Sequence, residues 1–283
     1  MSLIDRVSAT VTGTLVSGIP SVDIDGTPVH VVDGDDARGI ISDASEHTSA
    51  KPLAVVSINL DHIHHFGASQ LAARNLEPDP MCDDLEWLNL VDGAPIAAQV
   101  RRATGIPCPK LSGSDLIGPV LDDADGQSLT VGVIGGVPKV TAALRSRFAA
   151  DWPHIRFGGH WTPSRDELAS PDDSSRIAAE LRAAGVDILL VCLGKPRQEK
   201  WIAQYGAATG AGALLAFGAV VDFLAGRVSR APSWISDAGM EWAWRLMLEP
   251  KRLARRYLIE GPPAYLAVRR SIGSITLQPG ESR

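Results

Sequence analysis

The chain has 283 residues, 45% hydrophobic and 21% charged, with a formal net charge of -6. That size and apolar content allow one large core, and the mildly acidic balance gives no reason to expect nucleic acid as a partner. The longest apolar runs, such as 212–224, are short and interrupted by glycine and aspartate, which excludes a membrane span, and the first ten residues lack the apolar segment of a signal peptide. Three cysteines, Cys82, Cys108 and Cys192, show no metal-ligand spacing, and their odd number argues against a disulfide framework. A reducing cytoplasm is the expected home.

In chain order, residues 1–51 are rich in Ser, Thr, Asp and Gly and read as short strands and turns belonging to the core, with a hairpin signal at Asp25-Gly26. Apolar strand candidates then recur at Leu53–Ile58, Leu129–Ile134, Ile155–Phe157, Val186–Cys192 and Ala213–Phe217. Helical patterns cover Lys139–Ala150, Ser174–Ala184 and Arg197–Ala208, with Gly185 as a helix stop. This alternation predicts an α/β fold over 52–225, a Rossmann-like parallel sheet with helices on both faces. Right-handed crossovers place all strand C-terminal ends on one edge, where Ser57, Asn59, Gly135, Gly136, Gly194 and Gly218 are expected to converge. From 226 to 270 the pattern changes to basic helices broken by Pro232 and Pro250, expected to form an appendage, and 271–283 reads as a loose tail.

The run LGKPRQEKW, Leu193 to Trp201, follows a buried strand and opens a helix. Gly194 permits close approach of a ligand, Pro196 pre-sets the first helical turn, and the Gln198 amide can donate and accept, which suits a phosphate or sugar. The alternative is an ordinary loop with Lys195, Arg197 and Lys200 solvated. Ser57 and Asn59, two apart at a strand end, face the same side. Asp92 lies in VDGAPI, where Gly93 and Pro95 mark a turn into a helix; by sequence alone it is a turn former, a helix cap or a catalytic carboxylate. The Asp-x-Asp pairs Asp23/Asp25 and Asp123/Asp125 sit near glycines and read as turn aspartates, not metal ligands. Asp61, His62, His64 and His65 read as a helix start with exposed histidines. Gly132, Gly135 and Gly136 have G-x-x-G-G spacing, not a dinucleotide fingerprint. Between Gly226 and Arg270 nine Lys/Arg face four Asp/Glu, interleaved with Trp234, Trp242, Trp244 and Tyr257. Such a segment suits a lipid surface or a diphosphate, or is a solvated helix face.

With the segment FGAVVDFLAGRVSRAPSWISDAGMEWAW from Phe217 to Trp244, and Arg245, Glu249, Pro250, Arg252 and Arg255 beyond it, these motifs resemble the WecG/TagA/CpsF glycosyltransferases. Members carry a G-x-P-x-Q-E block, an F-D-x-x-A-G-x-x-x-R-A-P block and a G-L-E-W-x-x-R-L-x-x-E-P tail. The resemblance covers roughly Pro52 to Arg256. It implies an inverting, metal-independent transfer, without a cofactor, of a hexose resembling N-acetylmannosamine. The donor would be a UDP-sugar, the acceptor a polyprenyl-diphosphate-linked saccharide, and the product an intermediate of a surface polysaccharide or wall polymer. The enzyme would sit peripherally on an anionic membrane at its cytoplasmic face, with room left for a homo-oligomer. Asp92 matches the aspartate proposed as the family's base. Ser57 and Asn59 match its Thr-x-Asn, and Lys110 stands where arginine is common. Gly135, Gly136, Gly194, Gln198, Asp222, Arg245, Arg252 and Arg255 complete the expected substrate-binding set. A catalytically silent nucleotide-sugar-binding assembly protein of the same fold is the alternative, with Lys110 as its best support. An oxidoreductase would have the fold class but lacks the glycine spacing.

Overall fold

Leu53–Ile58 (β3) is apolar or small at every position, and all six residues are buried, because helices cover both faces of the sheet it belongs to. The structure, a computed structural model, describes residues 15–47, 49–77, 83–227, 241–248, 250–271 and 275–276. Its main sheet has six parallel strands in the order β4-β3-β8-β7-β5-β6. These are Glu86–Val91 (β4), Thr130–Gly135 (β5), Arg156–Trp161 (β6), Ile188–Cys192 (β7) and Ala213–Ala216 (β8). The fold is the expected Rossmann-like α/β class.

Side chains alternate between the two faces. Val55, Leu88, Val133, Leu190 and Leu215 face one core with α1 (Gly34–Ser45), α5 (Gly113–Gly126), α6 (Thr141–Asp151) and α10 (Val220–Leu224). Ala54, Val56, Val191 and Ala216 face the other with α2 (Leu60–Phe66), α4 (Ala94–Thr104), α8 (Pro171–Ala183) and α9 (Arg197–Tyr205). At the end of β3 the chain therefore leaves into α2 on one face, and at the end of neighbouring β8 into α10 on the opposite face. Diverging connections of this kind open a crevice beyond the strand ends.

One strand of the main sheet was not expected. In β4, Glu86 and Asn89 interrupt the apolar pattern, but partners from the N-terminal segment bury them. Glu86 accepts from Val16 N–H and Ser49 Oγ, while Asn89 donates to the Pro28 carbonyl. That segment forms a hairpin of β1 (Ser21–Ile24) and β2 (Thr27–His30), as Asp25-Gly26 signalled.

Part of the C-terminal region packs into the core. After α11 (Glu241–Leu248), α12 (Pro250–Arg255) and a π-helical turn, α13 (Gly261–Arg270) buries Ala264, Ala267 and Val268 in the second core, against α2, α3 (Ala68–Ala73) and α4. The small residues of α13 allow this close packing, while its arginines stay on the outer face. Within the supposed loose tail, Ile275–Thr276 (β9) pairs antiparallel with β1, and Ser271 Oγ accepts from Asp25 N–H. Residues 21–24 and 275–276, far apart in the chain, thereby share one small sheet.

Candidate active site

The crevice is built from strand ends. β4 ends at Val91, Asp92 follows half-buried, and Gly93 begins α4 at φ 90°, a conformation glycine adopts without a Cβ penalty. Gly93 is the N-cap, so Asp92 stands one residue ahead of the helix. Its Oδ2 accepts from Asn59 Nδ2 at 2.8 Å. Asn59 caps α2, its Oδ1 accepting from His62 N–H at 3.1 Å. The amide orientation is thus determined: the oxygen faces a backbone donor, so the NH2 must face the carboxylate. A hydrogen bond of this sense favours the anionic form of Asp92.

Lys195 lies behind this pair. Its side chain is only 8% exposed, and Nζ donates to the Ser57 carbonyl at 2.8 Å and to Glu199 Oε1 at 2.8 Å, with His62 Nδ1 at 3.4 Å. It is not the solvated loop lysine that the sequence alternative allows. His62 is also not exposed; burial, aided by the Lys195 cation, pushes its imidazole well below the ordinary range. His64 and His65 are partly buried under the C-terminal helices, with Glu260 near His64 and Asp61 near His65. Asp61 also meets Arg256 at 3.4 Å, which brings an arginine of the C-terminal region to the first turn of α2.

Gln198 requires correction. Expected as a loop amide facing ligand, it is 1% exposed in the first turn of α9. Its NH2 donates to Ala216 O and Glu199 Oε1, and its oxygen accepts from Gly194 N–H. It therefore ties the loop after β7 to the end of β8. Gln198→Ala should cost about 3 kcal/mol by stranding the part-buried Gly194 N–H and the buried Ala216 carbonyl, lowering the melting midpoint by roughly 6–10 °C. An unchanged midpoint with weakened nucleotide binding would restore the ligand-facing role.

The other expected residues fall along the same edge. The Gly218 backbone packs against Gly194. Gly135, at φ 109°, presses on the Cys192 carbonyl where any Cβ would collide, so its role is close strand packing; its carbonyl accepts from His160 Nε2 at 2.7 Å. Gly136 is exposed and neighbours Val221. Asp222 pairs with Arg227 at 2.7 Å. Lys110 is exposed beside Leu111, whose N–H extends the β4 edge by donating to Val91 O. Ser57 is buried. Arg255 is not brought to this cluster: it is 79% exposed and pairs with Glu260. The side chains of Arg245, Arg252 and Trp242, and the whole R-A-P block, lie outside the described residues.

Of the Asp-x-Asp pairs, Asp23 and Asp25 do shape the β1–β2 turn, accepting from Gly26 N–H and Ser69 respectively. Asp123 and Asp125 instead lie within α5; Asp123 pairs with Arg38 and Asp125 holds His154, so neither is a turn former of its own loop. Cys192, buried and donating to the Phe217 carbonyl, has its thiol pushed up to about 12, which removes it as a nucleophile.

A six-stranded parallel sheet with helices on both faces defines the Rossmann-like α/β class, in which ligands bind beyond the carboxyl ends of the strands. The sequence matches the glycosyl transferase WecG/TagA/CpsF family over residues 22–275, and the chain belongs to that family. It is a glycosyltransferase, acting between a sugar donor and an acceptor, and membership supports a role in cell-surface polymer synthesis. No described helix is long and apolar enough to cross a membrane.

Proposed function

We propose that the protein is an inverting, metal-independent glycosyltransferase that moves a hexose resembling N-acetylmannosamine from a UDP-sugar to a polyprenyl-diphosphate-linked saccharide. The observation that carries this reading is the 2.8 Å hydrogen bond from Asn59 to Asp92 across the ends of adjacent parallel strands. An anionic, oriented carboxylate at a sheet-edge crevice suits a general base. Asp92 takes the proton from the acceptor hydroxyl as the oxygen attacks the anomeric carbon. The bond to UDP breaks on the opposite side, so the configuration inverts. Lys110 and the exposed loop 136–139, which carries Lys139, offer cationic and backbone donors to the departing diphosphate.

Acceptor delivery follows from the C-terminal helices. Met247, Leu258, Ile259, Tyr265 and Leu266 are exposed there, beside exposed Lys251, Arg255, Arg269 and Arg270. Apolar side chains flanked by cations suit an anionic lipid surface at the cytoplasmic face. Replacing Leu258 and Ile259 together by Gln should weaken association with anionic vesicles about tenfold, since each loses buried apolar area, and raising salt should weaken the wild type. Salt-independent binding that ignores the double substitution would exclude this face.

The function is tested by incubating the protein with a panel of UDP-sugars and a short-chain lipid-diphosphate saccharide, then weighing the product by mass spectrometry. An added hexose is the expected result. Tight UDP binding without turnover on any acceptor would favour the silent assembly role.

A further inference from the structure

The Lys195 ammonium has three N–H donors, and three acceptors surround it: Ser57 O, Glu199 Oε1 and His62 Nδ1. With its side chain 8% exposed and its donors committed, this cation is not offered to a phosphate. Its partners bracket one short segment. Ser57 lies two residues before Asn59 and His62 three residues after it, so the ammonium grips the chain on both sides of the residue that holds Asp92. His62 also supplies the backbone N–H that sets the Asn59 amide orientation. Glu199, 5% exposed at its side chain, balances the buried charge from the first turn of α9.

We propose that Lys195 is a positioning residue for the transfer reaction, clamping the end of β3 to the first turn of α2 so that Asn59 presents its NH2 to Asp92. The inference rests on the reading of Asp92 as the base. It gives the loop after β7 a task other than touching substrate: that loop sets the geometry of the β3–β4 strand ends from the far side of β8.

Removing Lys195 alone would strand a buried carboxylate, so the test uses the double variant Lys195→Met with Glu199→Gln, which removes both charges at similar volume and preserves folding. Asp92 is followed by its side-chain 13C carboxyl titration, assigned by its loss in Asp92→Asn, alongside kcat, KM and UDP affinity. The expected result is a folded protein with UDP affinity unchanged and kcat lowered about tenfold or more. The Asp92 titration should move upward by about half a pH unit or more, because a loosened Asn59 donor no longer favours the anion. An Asp92 titration that stays in place in the folded double variant overturns the proposal, whatever happens to turnover. If the titration moves while turnover does not, Lys195 positions Asp92 but Asp92 is not the base, and the catalytic reading fails instead. A matched fall in turnover and UDP binding with the titration unmoved marks Lys195 as merely structural.

Discussion

Asp92→Asn should lower kcat by about a hundredfold or more while the fold and UDP affinity persist, the scale expected for losing a general base. The substitution is nearly isosteric, and the new side-chain oxygen can accept from Asn59 Nδ2 as the carboxylate does at 2.8 Å. Gly93 keeps its φ of 90° and α4 keeps its start, since neither depends on the Asp92 charge. What disappears is the anion that takes the acceptor's proton. Steady-state kinetics with a lipid-diphosphate acceptor, paired with calorimetric titration of UDP, separate these effects. Turnover near the wild-type rate in the variant would sink the role, and loss of UDP binding together with turnover would make Asp92 a donor-site residue.

The second large effect is on stability below neutrality. His30 is buried, and its Nδ1 accepts from the Asn89 N–H at 3.0 Å, an arrangement only the neutral ring permits. Burial pulls its pKa from 6.5 down to about 4. His62 is depressed in the same direction, by burial and then by Lys195. The unfolded chain therefore binds protons that the folded chain refuses. The stability is fully present above pH 6.5 and declines as pH falls through 6.5, and the His30 contribution is lost by about pH 4. For His30 alone the full loss amounts to about 3 kcal/mol, of which about 2 kcal/mol has gone by roughly pH 5. Urea unfolding between neutral pH and pH 5 should show this decline. His30→Asn, whose Oδ1 can accept from Asn89 N–H without titrating, should flatten it. An equal slope in that variant would assign the acid sensitivity elsewhere.

Much of the fold was legible because both-face burial leaves a local trace. The apolar runs at Leu53–Ile58 and Val186–Cys192 and the helical pattern after Arg197 carry their pairing and packing in their own composition. β4 left no such trace, since Glu86 and Asn89 are buried by Val16, Ser49 and Pro28, tens of residues away in the chain. The same holds for α13: its basic residues suggested an appendage, but Ala264, Ala267 and Val268 give it a face small enough to enter the second core.

At the site, the chain by itself determined which residue types reach the crevice. Asp92-Gly93 makes a strand-to-helix turn whatever surrounds it, and Asn59 stands where a side-chain oxygen caps the next helix. Tertiary structure alone decided what each of them does. Gln198 carries the chemistry of a ligand-binding amide, but the approach of β8 supplies the Ala216 carbonyl that takes its NH2. Lys195 carries the chemistry of a solvated cation, but the end of β3 and the first turn of α2 meet it with two acceptors, and Glu199 provides the third. Donors and acceptors are properties of a residue, whereas their partners in a parallel sheet come from strands far apart in the chain. Which polar group is left for substrate therefore follows from the fold.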